Sequence, residues 1–278
     1  MMRRSVIATL ALACAAAAVV IPAEPLKNAA VPGLSIPYTG LGTGGYGSNA
    51  TDCYTYPETW ADAKGCGESV KNATARYIQI AASLSSSQIR IDNANTYQDV
   101  DNVGLGIALS GVPRSRVFLL SKTGSGQAMG YNDTMDQIDA LLSQGGVAYV
   151  DALLIHWPTS TAASAEPACN AKDAAYNATE CRLQTWRAYV DAFNAGKALS
   201  IGVSNYYKAE LEEIRAAGLI MPAINQVRTG VTARPFWGQD SALGTNFFLI
   251  LLPRRFLLTC TGLPRGQRQC RTASATAS

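Results

Sequence analysis

Residues 150–158 read Val150-Asp151-Ala152-Leu153-Leu154-Ile155-His156-Trp157-Pro158 and contain the only histidine of the 278-residue chain. An apolar run of strand length leads up to His156, and Trp157-Pro158 ends it. The pattern predicts an imidazole at the carboxyl end of a buried strand, where α/β folds place their chemistry. A lone histidine beside a core strand is more often a hydrogen-bonded structural residue, so its role depends on its surroundings.

Short apolar runs alternate with amphipathic helical stretches on both sides of this segment, a repeat that predicts a parallel sheet. Six strands are predicted, at residues 33–38, 89–92, 117–122, 147–156, 198–204 and 222–226. All but the first end in a polar residue, namely Asp92, Lys122, His156, Ser204 and Gln226. Because the strand ends of a (β/α)8 barrel converge on one mouth, we predict a TIM barrel with about six recognisable βα units.

A glycine cluster with the pattern G-x-G-x-x-G occurs at Gly40, Gly42 and Gly45. A Rossmann dinucleotide site requires a helix to begin at once, with its N-terminus on the pyrophosphate. A proline-containing loop between Cys53 and Cys66 follows instead. The cluster is therefore better interpreted as a glycine-rich strand end beside a cofactor.

The strand ends carry motifs that resemble those of the aldo-keto reductases. In chain order these are Ile91–Tyr97, Leu119–Thr123, Leu154–Pro158, Gly196–Asn205 and Ile224–Gln226. The resemblance covers about residues 33–226, with Asn93 standing where the family usually has Thr. It implies a (β/α)8 barrel and an NADPH-dependent reductase that acts on a small-molecule aldehyde or ketone.

The resemblance implies four catalytic residues: Tyr97, Lys122, Asp92 and His156. Reduction of a carbonyl by hydride leaves an alkoxide that needs a proton, and Tyr97 would supply it. A free phenol has a pKa near ~10, which is high for this work, and a neighbouring Lys122 ammonium would lower it. Asp92 would hold Lys122, and His156 would donate a hydrogen bond to the carbonyl oxygen.

The cofactor-binding residues that the resemblance implies are Ser204, Asn205 and Gln226, which would bind the nicotinamide carboxamide. Trp157 either shapes the substrate mouth or plugs the barrel. No metal is required. The structural alternatives are that Asp92 caps a turn, that Tyr97 is an ordinary rim aromatic and that Lys122 is a solvated charge.

The amino-terminal residues 1–23 predict a secretory signal peptide, with a basic start at Arg3-Arg4 and an uncharged apolar run after it. An uncleaved anchor is the alternative, although the run is short for a span of about 20 residues. Secretion is also favoured by the sequons at Asn49, Asn72, Asn132 and Asn177. We expect an extracellular glycoprotein that is monomeric and free of the membrane once the leader is cleaved.

Cysteine spacing agrees with an oxidising compartment. Cys53 with Cys66, and Cys169 with Cys181, each flank a polar loop and predict a disulfide bond. Free surface thiols are the alternative. Neither spacing is that of a zinc site, and the histidine lies elsewhere in the chain.

The segment 227–278 departs from the family, which would continue with further βα units that hold the pyrophosphate and the 2′-phosphate of the cofactor. Here no helical or strand period is recognisable, and seven Arg accompany no Lys. The segment resembles the product of a shifted or non-coding frame, so its positive charge does not indicate nucleic-acid binding. We therefore predict an incomplete barrel over 24–226 and a divergent, disordered or aberrant tail.

Three hypotheses follow. The first is a secreted NADPH-dependent carbonyl reductase. The second is a catalytically inactive secreted glycoprotein that keeps a truncated aldo-keto reductase scaffold. The third is a faulty gene model whose true product has the full barrel, which sequencing the transcript across the codon for Gln226 would decide.

Overall fold

The computed structural model describes residues 20, 22–44, 67–124, 126–229 and 248–253. Residues 1–19 and 21 of the leader, the Cys53–Cys66 pair, the sequon at Asn49 and the third glycine of the cluster, Gly45, lie outside these residues.

One parallel sheet forms the centre of the molecule, and each strand in it pairs with the next strand along the chain. Its seven strands are β3 (Gly40–Gly42), β4 (Ile89–Asp92), β5 (Val117–Thr123), β6 (Ala152–Ile155), β7 (Ile201–Ser204), β8 (Ile224–Thr229) and β9 (Phe248–Pro253). The α-helices among the described residues are α1 (Gly67–Leu84), α2 (Val100–Leu109), α3 (Tyr131–Gly145), α4 (Ala178–Asn194) and α5 (Lys208–Ala216). This curled parallel sheet with alternating helices confirms the prediction of an incomplete (β/α)8 barrel.

The prediction that residues 33–38 form the first strand of the parallel sheet is wrong. Residues 33–38 contain β2 (Ser35–Pro37), which pairs antiparallel with β1 (Ala23–Pro25) outside the main sheet. The hairpin instead supplies Leu34 and Ile36 to the apolar cluster on the inner face of the barrel, beside Phe118 and Leu154. The first barrel strand is β3, in the glycine cluster, where a Cβ on Gly40 would come within 2.6 Å of Arg90 Nε.

The main sheet extends beyond Gln226, into the segment that departs from the family in sequence. Strand β8 continues to Thr229, and β9 pairs parallel with it over its whole length. The apolar run of β9 is long enough for a strand, although the sequence around it shows no period. No helix within the described residues has the length and apolar character needed to cross a membrane.

Candidate active site

Asp92 and Lys122 form a buried ion pair at the carboxyl ends of β4 and β5. The Lys122 ammonium donates to Asp92 Oδ1 at 2.5 Å and to the backbone oxygen of Asn93 at 2.9 Å. The lysine side chain is only 1% exposed. Burial favours the neutral amine, but the negative charge of Asp92 and interactions with Tyr97 outweigh burial and raise the pKa of Lys122. Lys122 is therefore a buried ammonium, not a solvated surface charge.

Tyr97 lies beside this ammonium, in a 3-10 turn formed by Asn95–Tyr97 just after β4. Lys122 Nζ is 5.3 Å from the centroid of the Tyr97 ring. Burial raises the pKa of the phenol, and the charge of Lys122 lowers it by a smaller amount, so the pKa remains above its ordinary value of 10.0. Lys122 lowers the pKa of Tyr97 as predicted, but burial raises that pKa by a larger amount.

His156 comes directly after β6 and meets Tyr97 edge to face, with ring centroids 5.6 Å apart. Its Nδ1 lies 3.3 Å from Thr96 Oγ1, and its backbone oxygen accepts a hydrogen bond from Asn205 Nδ2 at 3.0 Å. The imidazole and Trp157 are both half-buried. The sequence-predicted tetrad is thus brought together at one end of the sheet, and Trp157 follows it directly in the chain.

The residues predicted to bind cofactor cluster at the ends of β7 and β8. Ser204 Oγ donates to the backbone oxygen of Gln226 at 2.6 Å, and Asn205 Nδ2 also donates to Ser204 Oγ at 3.0 Å. Gln226 Nε2 donates to Asp92 Oδ2 at 2.7 Å. Asn205 and Gln226 therefore hydrogen-bond to the tetrad directly, and Ser204 hydrogen-bonds to both of them, roles that their spacing in the sequence does not reveal.

Three residues of the site were missed by sequence reasoning: Asn93, Thr96 and Gly44. Asn93 and Thr96 lie inside the motif that contains Asp92 and Tyr97, so their position was the available signal. Gly44 packs on the phenol, because a Cβ there would come within 2.9 Å of Tyr97 Cζ. The glycine cluster thus leaves room for the ring of Tyr97.

The loop after His156 is closed by the predicted disulfide between Cys169 and Cys181. The same loop is held to the start of α3, where Glu166 accepts hydrogen bonds from the backbone nitrogens of Tyr131 and Asn132. In the described part of the chain, no three His, Cys, Asp or Glu residues are grouped to hold a metal ion.

The profile of the aldo/keto reductase family matches residues 59–235, a range that contains the Asp92–Tyr97 motif and every later strand-end motif. The chain belongs to the aldo/keto reductase family. Morphine 6-dehydrogenase of Pseudomonas putida is 33% identical over 184 residues, covering 66% of this chain and 55% of that protein. Glyoxal reductase of Bacillus subtilis is 32% identical over 158 residues, covering 57% and 50% respectively. The chain spans about half the length of these relatives.

Solved structures of family members have the same fold. A Bombyx mori aldo-keto reductase in complex with NADP is 27% identical, with a TM-score of 0.55 over 77% of this chain and 60% of that one. An aldo/keto reductase from Brucella melitensis is 26% identical, with a TM-score of 0.53 over 76% and 64%.

Proposed function

We propose that the protein is an NADPH-dependent reductase of small aldehydes or ketones, with Tyr97 as its general acid. The observation that carries the proposal is the buried Asp92–Lys122 pair, whose ammonium lies beside the Tyr97 phenol. A buried ammonium is costly unless it is paired, and here it is oriented toward a proton donor that stands next to an imidazole. The alternatives of a turn cap and a solvated lysine do not account for this arrangement.

Each member of the tetrad has a distinct task in the proposed reaction. Lys122 stabilises the phenolate that remains when Tyr97 gives its proton to the substrate oxygen. Asp92 keeps Lys122 charged and in position. If Thr96 donates to Nδ1 of His156, the neutral imidazole carries its proton on Nε2, which can then hydrogen-bond the carbonyl oxygen.

The donor set at the ends of β7 and β8 fits the amide of a nicotinamide. The side-chain amide nitrogens of Asn205 and Gln226 donate hydrogen bonds within the protein, whereas their side-chain oxygens accept none from the described residues. Those oxygens can accept from a carboxamide nitrogen. Ser204 hydrogen-bonds to both residues. NADPH, when bound, supplies the hydride, and these residues would fix which face of the nicotinamide is presented.

The substrate is proposed only as a class. Relatives are named for morphine and for glyoxal, so the family accommodates carbonyl and alcohol groups on very different molecules. Trp157, directly after His156, is proposed to border the substrate. A monomeric state is also part of this proposal.

The test is consumption of NADPH by the purified full chain with a panel of aldehydes and ketones that includes glyoxal. We expect turnover in the native chain and its loss in Tyr97→Phe, while fluorescence titration shows NADPH binding by both proteins. Turnover that Tyr97→Phe leaves unchanged would refute the proposed role of the phenol. Titration with NADH in parallel measures the preference between the cofactors.

A catalytically inactive glycoprotein is the second candidate, favoured by the divergent segment 227–278, most of which lies beyond the residues that the family profile matches. Saturable NADPH binding would contradict this candidate. Secretion is proposed for either candidate, from the leader and the sequons. Expression in eukaryotic cells, followed by a search of the medium and removal of N-glycans, tests it: the chain should be found outside the cells and should lose mass.

A further inference from the structure

We infer that Asn93 is a positioning residue that fixes the Lys122 ammonium beside Tyr97, and that Asp99 holds Asn93 in place. The inference deepens the proposed function and rests on it. Asn93 acts through its backbone oxygen, which accepts from Lys122 Nζ at 2.9 Å. The position of that oxygen helps to set where the ammonium lies relative to the phenol.

The side chain of Asn93 is fixed by hydrogen bonds to three other elements. Its Nδ2 donates to Thr43 Oγ1 at 3.0 Å and to Asp99 Oδ1 at 2.6 Å. Its Oδ1 accepts from Ser121 Oγ at 3.2 Å. The residue is 2% exposed, so water does not compete with these bonds. The amide therefore ties the end of β4 to the end of β3, to β5 and to the start of α2.

The chain is bent to make this contact possible. Gln98 adopts a left-handed conformation with φ of 57°, which turns the backbone after Tyr97. The turn brings the Asp99 carboxyl back to Asn93, and Asp99 itself is 5% exposed. Tyr97 lies between the two partners in sequence, so the Asn93–Asp99 bond closes the short segment that carries the proposed proton donor.

The charged groups around this cluster come from several elements. Asp92 from β4, Lys122 from β5 and Asp99 from the start of α2 act electrostatically on Tyr97. Asp101, on α2, acts on Asp99. Lys122 is the only cation among these named groups, so a small displacement of its ammonium changes how strongly the phenolate is favoured.

The experiment compares Asn93→Ala with Asn225→Ala in the full-length chain. Asn225 is a second buried asparagine of the same sheet, and its Nδ2 donates to the backbone oxygen of Tyr206. We expect Asn93→Ala to lower kcat about tenfold, with KM for NADPH changed less than about twofold. Asn225→Ala should leave kcat near that of the native chain.

A second pair of variants separates the hydrogen bond from the charge. Asp99→Asn keeps an oxygen that can accept from Asn93, whereas Asp99→Ala removes it. We expect Asp99→Asn to preserve most of kcat and Asp99→Ala to behave like Asn93→Ala. Equal losses of kcat in the two Asp99 variants would show that the Asn93–Asp99 hydrogen bond does not position Lys122, and would overturn the inference.

A readout without turnover keeps the inference testable if the proposed function fails. The ultraviolet titration of Tyr97, taken as the difference between each protein and its Tyr97→Phe form, reports the phenol pKa directly. We expect this pKa to rise by roughly one pH unit in Asn93→Ala, because the ammonium is less well placed. An unchanged titration overturns the inference, whereas absence of turnover in the native chain overturns only the proposed function.

Discussion

Gln226 and Asp92 are joined by a hydrogen bond of 2.7 Å between Nε2 and Oδ2, although 134 residues separate them in the chain. The other oxygen of Asp92 accepts from Lys122, so both carboxylate oxygens have a donor. Two donors, one on each oxygen, hold the Asp92 carboxylate in one orientation. Gln226, near the carboxyl end of the matched range 59–235, therefore completes the site that begins with Asp92.

Replacing Gln226 with Met removes the donor and leaves Asp92 Oδ2 buried. We expect the free energy of unfolding to fall by about 1–3 kcal/mol, the usual cost of an unsatisfied buried polar group. Urea unfolding measures the change. Gln88→Met is the matched control, because Gln88 donates only to Ser115 at the surface, and should change stability by less than about 0.5 kcal/mol. Equal effects in the two variants would contradict the prediction.

Replacing Lys122 with Met leaves Asp92 as an unpaired buried charge. We expect a loss of about 3–5 kcal/mol in the free energy of unfolding, together with loss of reductase turnover. The double variant Asp92→Asn with Lys122→Met removes both charges and should be more stable than Lys122→Met alone. Additive losses in the double variant would show that the ion pair does not behave as a coupled unit.

The resemblance to the aldo-keto reductases implied the tetrad, and the apolar runs before Asp92, Lys122 and His156 predicted that these three lie at strand ends. The Cys169–Cys181 bond was predicted for a similar reason, since a short polar loop lies between the two cysteines. These features are local in sequence. The carboxyl ends of parallel strands lie at the same edge of a sheet, so residues that follow different strands are brought together there.

The first barrel strand could not be predicted in the same way. Strand β3 is Gly40-Leu41-Gly42, and glycine supplies no alternation of polar and apolar side chains. The contact of Asn93 with Asp99 was equally hidden, because it depends on the left-handed backbone at Gln98. Close packing and unusual backbone angles have weak signatures in composition and spacing.

Adding a methyl group at Gly44 tests the packing against the phenol. A Cβ there would lie 2.9 Å from Tyr97 Cζ and 3.0 Å from Cε2, so the ring must move. Because the ring position sets the reach of the proton donor, we expect Gly44→Ala to lower kcat at least about tenfold. Gly42→Ala is the control, since a Cβ at Gly42 meets nothing within 4 Å. Similar kcat values in the two variants would refute this packing argument.

Removing the disulfide should weaken the fold near the site. Cys169 and Cys181 are 12 residues apart, and closing a loop of this length is worth about 3 kcal/mol in the chain-entropy description. We expect the double variant Cys169→Ala with Cys181→Ala to lose stability on this scale in urea unfolding. Adding reductant to this variant controls for disulfides formed by other cysteines. A further large loss of stability would show that another disulfide, not Cys169–Cys181, carries the effect.

Asp99 should make stability depend on pH. Burial is the largest cause that raises the pKa of this carboxyl from 3.8 to about 7, and hydrogen bonds from Thr43 and Asn93 oppose it. Between these values the folded protein keeps the proton and the unfolded chain releases it. The contribution of Asp99 to stability is therefore fully present below about pH 4 and is lost as the pH rises to about 7. The fall is of order 4 kcal/mol, at about 1.4 kcal/mol for each unit of difference in pKa.

Urea unfolding at a series of pH values, for the native chain and for Asp99→Asn, measures this slope. Asparagine does not titrate, so the free energy of unfolding of Asp99→Asn should fall much less than that of the native chain over this pH range. It should also gain stability relative to the native chain as the pH approaches neutrality, because no buried carboxylate then has to form. Asp136→Asn is the control, since Asp136 is an exposed carboxylate on α3. A native slope that persists in Asp99→Asn would place the titrating group elsewhere.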